Sequence, residues 1–366
     1  MENNQLKQLI DTSSRIILKV GSSLLINENN NDINYHWLKN FSKEIQSLTD
    51  KKKQIMIVSS GSVALGRKQL NLVKNLSLDE KQAAAAVGQI HLSHAWKEVL
   101  KSFNLESAQI LLAPDDTETR RKHLNARATL LKLLQLNVIP VINENDTVST
   151  DEIKFGDNDR LAARVAQMCE VDLLILFSDV NGLFSEDPNK SKNSELIKEV
   201  TNITHDIEMM AGPSKTSFSN GGMVTKIQAS KIATNAGCNV IITNGKSDNP
   251  ISRLINNVQY GTLFFKVALL SAIASLSLCS LFPPPVLITS AIFFESRIST
   301  ICGDPLLTLL IILHFIPCPR IYSAVPLVAH SVKFNFKSSF ASLIPSSLWE
   351  SFKDINARPF IGSEFE

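Results

Sequence analysis

The sequence predicts an α/β fold, a three-layer sandwich in which helices cover both faces of a mainly parallel central sheet. Two observations in residues 1–265 carry this prediction. Short apolar runs alternate along the chain with amphipathic helical stretches, which is the order of elements in sheets that carry helices on their faces. The apolar runs are nearly continuous in Ile, Leu and Val, as in parallel strands that are buried on both faces.

The individual elements follow from these two patterns. The predicted strands are short runs of branched apolar residues, at 15–20, 54–59, 108–112, 138–142, 172–177 and 239–243. The predicted helices are longer amphipathic stretches, at 35–49, 62–70, 81–103, 117–136, 159–169, 223–236 and 250–257. The polar, broken region 185–219 is expected to leave the sheet as a lid or an edge hairpin.

Composition favours a cytoplasmic protein without a nucleic-acid partner. The formal net charge is only +2 at pH 7, so no strong positive field is available to attract nucleic acid or an anionic membrane surface. The five cysteines form no CxxC pair and no metal-ligand spacing, and their odd number in a long chain argues against a disulfide framework. The N-terminal segment MENNQLKQLIDTSSR lacks the apolar run of a signal peptide.

Composition changes abruptly near residue 265, where we place a boundary between a folded domain, 1–265, and a tail of unknown structure, 266–366. Before it lie 12 of the 14 glycines and 59 of the 72 charged residues, and after it lie 9 of the 14 prolines. Residues 267–294 carry no charge, and a run of this length could span a membrane. Three consecutive prolines, however, interrupt the run. Two hypotheses follow for the apolar tail: an out-of-frame or misjoined, poorly ordered translation, or a membrane-associated extension.

An acid-rich segment follows the predicted strand 138–142. Its sequence, INENDTVSTDEIKFGDND, places carboxylate and amide side chains throughout residues 142–159. Just past the carboxyl end of a strand, such groups can hold a hard cation through oxygen atoms or hydrogen-bond an amine or carboxyl substrate. The alternative is a solvated acidic loop.

Glycine- and serine-rich turns follow two further predicted strands. Lys19 lies near the end of the first, before Gly21, where its ammonium group can meet a phosphate or extend into solvent. Ser60 lies in the turn after the second, where backbone amides can approach a ligand, although it can also serve only as a helix N-cap. This turn is not a Walker A loop, because Arg67 stands where the lysine is required.

Two later turns complete the pattern. Ser178 and Asp179 follow the strand 172–177 and can contact a nucleotide, or belong to a tight turn only. Residues 220–226 place two glycines before a helix and Lys226 one turn inside it. Two lysines from distant parts of the chain can flank a transferring phosphoryl group, a reaction catalysed mainly by positioning and charge stabilisation. Together these turns predict phosphoryl transfer.

Residues 15–265 resemble the glutamate 5-kinases, which belong to the amino-acid kinase superfamily. The resemblance rests on motifs in fitting order and spacing: Leu18-Lys19-Val20-Gly21-Ser22-Ser23, Val58-Ser59-Ser60-Gly61-Ser62-Val63 with Gly66-Arg67, Ala85-Ala86-Val87-Gly88-Gln89, Leu124-Asn125-Ala126-Arg127, Val141-Ile142-Asn143-Glu144-Asn145-Asp146, Phe155-Gly156-Asp157-Asn158-Asp159, Gly221-Gly222-Met223-x-Thr225-Lys226 and Gly261-Thr262-Leu263-Phe264. INEND followed by GDND is more specific than any single glycine turn. The resemblance implies the amino-acid kinase fold.

It also implies transfer of the ATP γ-phosphoryl group to the side-chain carboxylate of L-glutamate, with Mg²⁺, as the first step of proline biosynthesis. The implied catalytic residues are Lys19, Lys226 and Asp157, the glutamate-binding residues are Ser60, Asp146 and Asn158, and the metal-binding residue is Asp159. The implied ATP-binding residues are Lys19, Ser178, Asp179, Asn220, Gly221, Gly222, Met223, Val224, Thr225 and Lys226. Asp157 and Asp159 either hold Mg²⁺ or organise the lysines, and no general base is needed for a carboxylate that is already ionised.

Further expectations come from the resemblance alone. It implies a homo-oligomer, a dimer or tetramer, and feedback inhibition by proline, for which residues 115–127 are the expected place. Ser178 stands where the family commonly has threonine, and it keeps the hydroxyl group. The PUA β-barrel that many relatives carry at their C-terminus is not recognisable in residues 266–366. The alternatives are another carboxylate or carbamate kinase of the superfamily, or a non-catalytic sensor of amino acid and nucleotide.

Overall fold

A computed structural model describes the first three quarters of the chain. The described residues are 5–27, 32–73, 76–148, 158–186, 188, 191, 194–211, 222–256 and 261–267. The predicted tail therefore lies outside the described residues, except for its first two. The boundary placed near residue 265 remains a prediction.

Eight strands in the described part of the chain form one sheet. They are β1 (Arg15–Val20), β2 (Gln54–Ser59), β3 (Glu106–Leu112), β4 (Val138–Glu144), β5 (Leu173–Ser178), β6 (Glu199–Val200), β7 (Asn239–Asn244) and β8 (Gly261–Phe264). Their order across the sheet is β3-β4-β2-β1-β5-β7-β8-β6. Every neighbouring pair is parallel except β7 and β8, which are antiparallel. The predicted mainly parallel sheet is confirmed.

Helices pack on both faces of this sheet. They are α1 (Gln5–Thr12), α2 (Ser22–Leu25), α3 (Tyr35–Asp50), α4 (Ser62–Gln69), α5 (Leu78–Lys101), α6 (Pro114–Glu118), α7 (Arg120–Gln135), α8 (Asn158–Cys169), α9 (His205–Met210), α10 (Met223–Asn235) and α11 (Pro250–Ile255). Among the described helices, none combines the length and the apolar character that crossing a bilayer requires.

The two faces carry separate apolar clusters because side chains alternate along each strand. In β1, Ile16 and Leu18 belong to the cluster that includes residues of α3 and α5. Ile17 belongs to the opposite cluster, which includes residues of α8 and α10. The same alternation places Lys19 on the face of α8 and α10, and this orientation positions the candidate site.

The helix predicted at 117–136 is wrong in its extent, since the structure has two helices there. Pro114 begins α6, and the carboxylate of Asp116 accepts a hydrogen bond of 2.8 Å from the backbone amide of Ala113. A proline at the first helical position and an acceptor for a free amide both favour an early start. Thr119 has extended backbone angles, φ −72° and ψ 117°, and separates α6 from α7.

Other elements were missed because they are short or lack a clear period. Strands β6 and β8 and helices α1, α2 and α9 have no predicted counterpart. Within the region predicted as a lid or an edge hairpin, Leu196 forms an antiparallel bridge with Phe184, the residue just before that region. Strand β6 then pairs with β8 at the edge of the sheet.

Candidate active site

Lys19 is buried near the carboxyl end of β1. Its side chain is only 8% exposed, and its Nζ lies 2.6 Å from Oδ1 of Asp159 in the first turn of α8. The alternative in which Lys19 extends into solvent is therefore wrong. A buried ammonium group requires such a partner, because an unpaired charge in the interior is costly.

Asp159 holds a second lysine with its other oxygen. Nζ of Lys226, in the first turns of α10, donates to Oδ2 of Asp159 at 2.9 Å. The hydroxyl of Thr225 donates to the same oxygen at 3.2 Å. Asp159 is fully buried and Lys226 is 4% exposed. We call Lys19, Asp159 and Lys226 the ion triad.

In the ion triad, burial and the attraction between opposite charges shift the pKa values in opposite directions. Burial lowers the pKa of Lys19, against the opposing attraction of Asp159. Burial alone would raise the pKa of Asp159, but the charges of Lys19 and Lys226 hold it at about 2. One carboxylate thus stays ionised between two ammonium groups, and the excess of positive charge favours an anionic ligand.

Beside the triad, polar side chains from neighbouring strand ends form hydrogen bonds. The side-chain amide nitrogen of Asn158 donates to Ser60 Oγ and to Asn143 Oδ1, at 2.9 Å in each case. Ser60 follows β2, Asn143 lies in β4, and Asn158 is the first residue of α8. Because β2 and β4 are parallel neighbours, their carboxyl ends meet at one edge of the sheet.

These bonds continue through Asn143 to an aspartate. Nδ2 of Asn143 donates to Gln89 Oε1 at 2.8 Å and to Ser62 Oγ at 3.3 Å. The hydroxyl of Ser62 donates to Asp146 Oδ2 at 3.0 Å. We call the connected side chains the amide network: Ser60, Ser62, Gln89, Asn143, Asp146 and Asn158. Burial raises the pKa of Asp146, and the hydrogen bond from Ser62 opposes that rise.

The sequence predicted only half of this network as site residues. Ser60, Asp146 and Asn158 were predicted and do come together. Sequence reasoning missed the roles of Ser62, Asn143 and Gln89, although each lies inside a motif quoted above. The missing information was which side chains face one another across the fold.

Close contact between α4 and α5 brings two of the missed residues together. An added Cβ at Gly88 would lie 1.8 Å from the backbone oxygen of Ser62, and one at Gly66 would lie 1.7 Å from that of Ala84. Only glycine allows backbones to approach so closely. This contact places Gln89, the next residue of α5, beside Ser62 at the start of α4.

The predicted nucleotide-binding residues lie around β5 and α10. Ser178 is buried at the end of β5, next to β1 in the sheet, and its hydroxyl donates to Oδ1 of the exposed Asp179 at 3.0 Å. Gly222 is the N-cap of α10. The first turn of that helix contains the remaining described members of the predicted set: Met223, Val224, Thr225 and Lys226. Asp157, Asn220 and Gly221 lie outside the described residues.

Magnesium binding by Asp159 is not tested by this geometry. Both of its carboxylate oxygens already contact an ammonium group, at 2.6 and 2.9 Å. A magnesium ion bound to Asp159 would have to share a carboxylate oxygen with a lysine or displace that lysine. Mg²⁺ also requires a near-ideal octahedral set of oxygen ligands. Within the described ranges, no group of three or more His, Cys, Asp or Glu residues is arranged to hold a metal ion.

The sheet is mainly parallel, and two buried lysines share Asp159 beside it, Lys19 near the end of β1 and Lys226 in the first turns of α10. This arrangement places the chain among α/β proteins whose site can hold an anionic group. The sequence profile of the amino acid kinase family matches residues 14–244, and the chain belongs to this family.

Several curated relatives are named glutamate 5-kinase. The one from Paramagnetospirillum magneticum is 48% identical over 242 residues, which cover 66% of this chain and 65% of that protein. The one from Rhodopseudomonas palustris (strain BisB5) is 51% identical over 241 residues, covering 66% of this chain and 64% of that protein. The chain thus spans about 65% of the length of the curated relatives it matches.

Among solved structures, isopentenyl phosphate kinase matches with a TM-score of 0.47 and 16% identity, covering 68% of this chain and 99% of that one. The family assignment does not depend on this match.

Proposed function

We propose that the chain catalyses ATP-dependent phosphorylation of the side-chain carboxylate of L-glutamate. The observation that carries the proposal is that the ion triad and the amide network lie side by side, joined through the consecutive residues Asn158 and Asp159. The triad offers positive charge for a phosphoryl group, and the network offers groups for an amino acid. The curated relatives that share about half of their aligned residues with this chain are named glutamate 5-kinase, and this name supports glutamate as that amino acid.

In the proposed reaction, an oxygen of the glutamate γ-carboxylate attacks the γ-phosphorus of ATP. The bond to the oxygen that bridges the β- and γ-phosphorus atoms breaks, and ADP leaves with the electron pair. Lys19 and Lys226 stabilise the charge that shifts onto the phosphate oxygens, while Asp159 holds both ammonium groups in place. The carboxylate nucleophile is ionised at neutral pH, so the mechanism needs no general base.

On the amino-acid side, Asp146 is the proposed partner of the substrate ammonium group. One of its oxygens accepts from Ser62, which leaves acceptor capacity on the other. Ser60 Oγ accepts from Asn158, and among the described residues no acceptor takes the hydroxyl proton of Ser60. That proton is suited to a substrate carboxylate.

The activity is tested with the purified chain, ATP and four acceptors: L-glutamate, L-aspartate, N-acetyl-L-glutamate and carbamate. Release of ADP is measured, and acyl phosphate is trapped with hydroxylamine. Glutamate should give the highest kcat/KM. Phosphorylation of aspartate but not of glutamate would overturn the substrate assignment. ADP release that does not depend on any acceptor would overturn the proposed transfer.

A non-catalytic sensor is less well supported, because both lysines of the proposed reaction are in place around Asp159. Mg²⁺ enters the proposal as the ion that accompanies the ATP phosphates, which is its usual mode of binding in kinases. Assembly into a dimer or tetramer, inhibition by proline and a cytoplasmic location stay predictions from the resemblance.

We also propose that the kinase unit ends near residue 265. Strand β8 ends at Phe264, and the family match ends at residue 244. If residues 266–366 are an out-of-frame translation, one of the other two reading frames of the coding DNA after codon 265 should encode a glycine-rich, β-like sequence. Their failure to do so would reject the frame-shift hypothesis, and a full-length product that stays in solution without detergent would reject the membrane-associated rival.

A further inference from the structure

We propose that Gln89 is a positioning residue for the amino-acid substrate, acting through the side chains of Asn143, Ser62 and Asp146. The inference rests on the proposed function, because it concerns the substrate that Asp146 is proposed to hold. Gln89 lies within the long helix α5, whereas the other members of the network lie at the end of β4, in the segments just after β2 and β4, or at the start of α8. No step of the proposed phosphoryl transfer uses it.

The hydrogen bonds around Asn143 give the network a direction. An amide nitrogen has two protons, and those of Asn143 go to Gln89 Oε1 at 2.8 Å and to Ser62 Oγ at 3.3 Å. A serine hydroxyl has one proton, and Ser62 donates it to Asp146 Oδ2 at 3.0 Å. The Ser62 oxygen accepts a hydrogen bond from Asn143, and this orients the Ser62 hydroxyl so that its proton is donated to Asp146.

The other half of the Asn143 amide requires the same orientation. Its Oδ1 accepts from Nδ2 of Asn158 at 2.9 Å. If the amide turned over, its nitrogen would face the nitrogen of Asn158, and its oxygen would face the oxygen of Gln89. Both contacts are unfavourable, and a partly buried polar group without a partner is costly. The acceptor on Gln89 thus selects the orientation that serves both Ser62 and Asn158.

The packing of α5 fixes the position of that acceptor. Gly88 packs so closely on α4 that an added Cβ would lie 1.8 Å from the backbone oxygen of Ser62. The backbone beside Gln89 is therefore held against the same helix end that carries Ser62.

The test is steady-state kinetics of full-length Gln89→Met, which removes the acceptor at similar side-chain length, and of Gln89→Glu, which keeps an acceptor oxygen. We expect the Met variant to raise KM for glutamate by about tenfold while KM for ATP and kcat change by less than about threefold. The Glu variant should return KM for glutamate to within about threefold of the original. Gln135→Met, at the exposed end of α7, is the matched control and should leave all constants unchanged.

Two failures are distinguishable. A parent chain that does not phosphorylate glutamate overturns the proposed function and this inference together. A parent chain that does so, with Gln89→Met unchanged in KM for glutamate or altered equally in KM for ATP, overturns the inference alone. If thermal unfolding shows that Gln89→Met is not folded, Gln89→Ala is read by the same two criteria, since alanine is well tolerated in a helix.

Discussion

Asn158 and Asp159 are consecutive residues at the start of α8, yet their side chains serve different halves of the candidate site. Asn158 donates to Ser60 and Asn143 in the amide network, whereas Asp159 contacts Lys19 and Lys226 in the ion triad. One helix start thus fixes the distance between the proposed amino-acid and phosphoryl positions. For a reaction that depends on placing two reactants, this shared anchor sets the geometry.

Asp159→Asn should destabilise the fold and flatten its acid sensitivity. Removing a charge that pairs with two buried lysines leaves them uncompensated, at an expected cost of about 3–5 kcal/mol near neutral pH. The pKa of Asp159 is lowered from 3.8 to about 2 in the folded chain. Its contribution, roughly 2 kcal/mol, is complete above about pH 4 and is lost as the pH falls towards about 2.

Urea unfolding at a series of pH values measures both effects. The stability of the parent chain should fall more steeply between pH 4 and pH 2 than that of Asp159→Asn. Asp206→Asn, which removes an exposed carboxylate in α9, is the control and should behave like the parent. Equal slopes for the parent and Asp159→Asn would show that the triad is not the source of the acid sensitivity.

Lys226→Ala should separate chemistry from substrate binding. The ammonium group of Lys226 stabilises the transferring phosphoryl group in the proposed reaction, so kcat should fall by about 10²–10³. The amide network does not contain Lys226, and calorimetric titration should give nearly the parent affinity for glutamate. Lys231→Ala, at an exposed lysine of the same helix, is the control. Parent-like turnover by Lys226→Ala would remove this lysine from the mechanism.

Ser62→Ala should move the acid limb of the pH profile. Burial raises the pKa of Asp146, and the hydroxyl of Ser62 opposes that rise, so its loss should raise the pKa further. Only ionised Asp146 attracts the substrate ammonium group, so kcat/KM for glutamate should begin to fall at a higher pH than in the parent. The exposed Ser47 gives the control Ser47→Ala. A limb that stays in place, or moves to lower pH, contradicts the role of Ser62.

The main strands of the sheet could be predicted from the sequence because each is marked by its own local pattern of residues. The bounds of β1 and β2 were predicted to the residue, since each is a buried apolar run that ends in a turn. Prediction failed for elements whose structure depends on contacts with residues that are distant in the sequence. The two-residue strand β6 exists only because it pairs with β8, and no local period marks it.

In the candidate site, too, residues with a local sequence signal were predicted, and roles that depend on contacts across the fold were not. Lys19 was predicted because a charged side chain in an apolar strand is unusual, and Lys226 because it follows two glycines at the start of a helix. The partner that unites them, Asp159, was left between a metal role and a lysine-organising role, because choosing requires the distances across the fold. Gln89 has no unusual local feature, and only the contact between α4 and α5 reveals what it faces.

Gly88→Ala tests whether that contact holds the network together. The added Cβ would lie 1.8 Å from the backbone oxygen of Ser62, and rigid backbone cannot yield as a side chain does. The helices must separate, at an expected cost of about 3 kcal/mol or more. Because Gln89 and Ser62 lie at the contact, KM for glutamate should rise more than KM for ATP.

Gly66→Ala provides the decisive comparison. An added Cβ at Gly88 would lie 2.5 Å from the backbone nitrogen of Gly66, and the reverse distance is 2.8 Å. Both substitutions therefore force apart the same two backbones. Once one has done so, the second should cost much less, and the double variant should be more stable than the sum of the single losses predicts. Additive losses in urea unfolding, or an exposed control Ala86→Ser that destabilises as strongly, would show that the helices do not act as one contact.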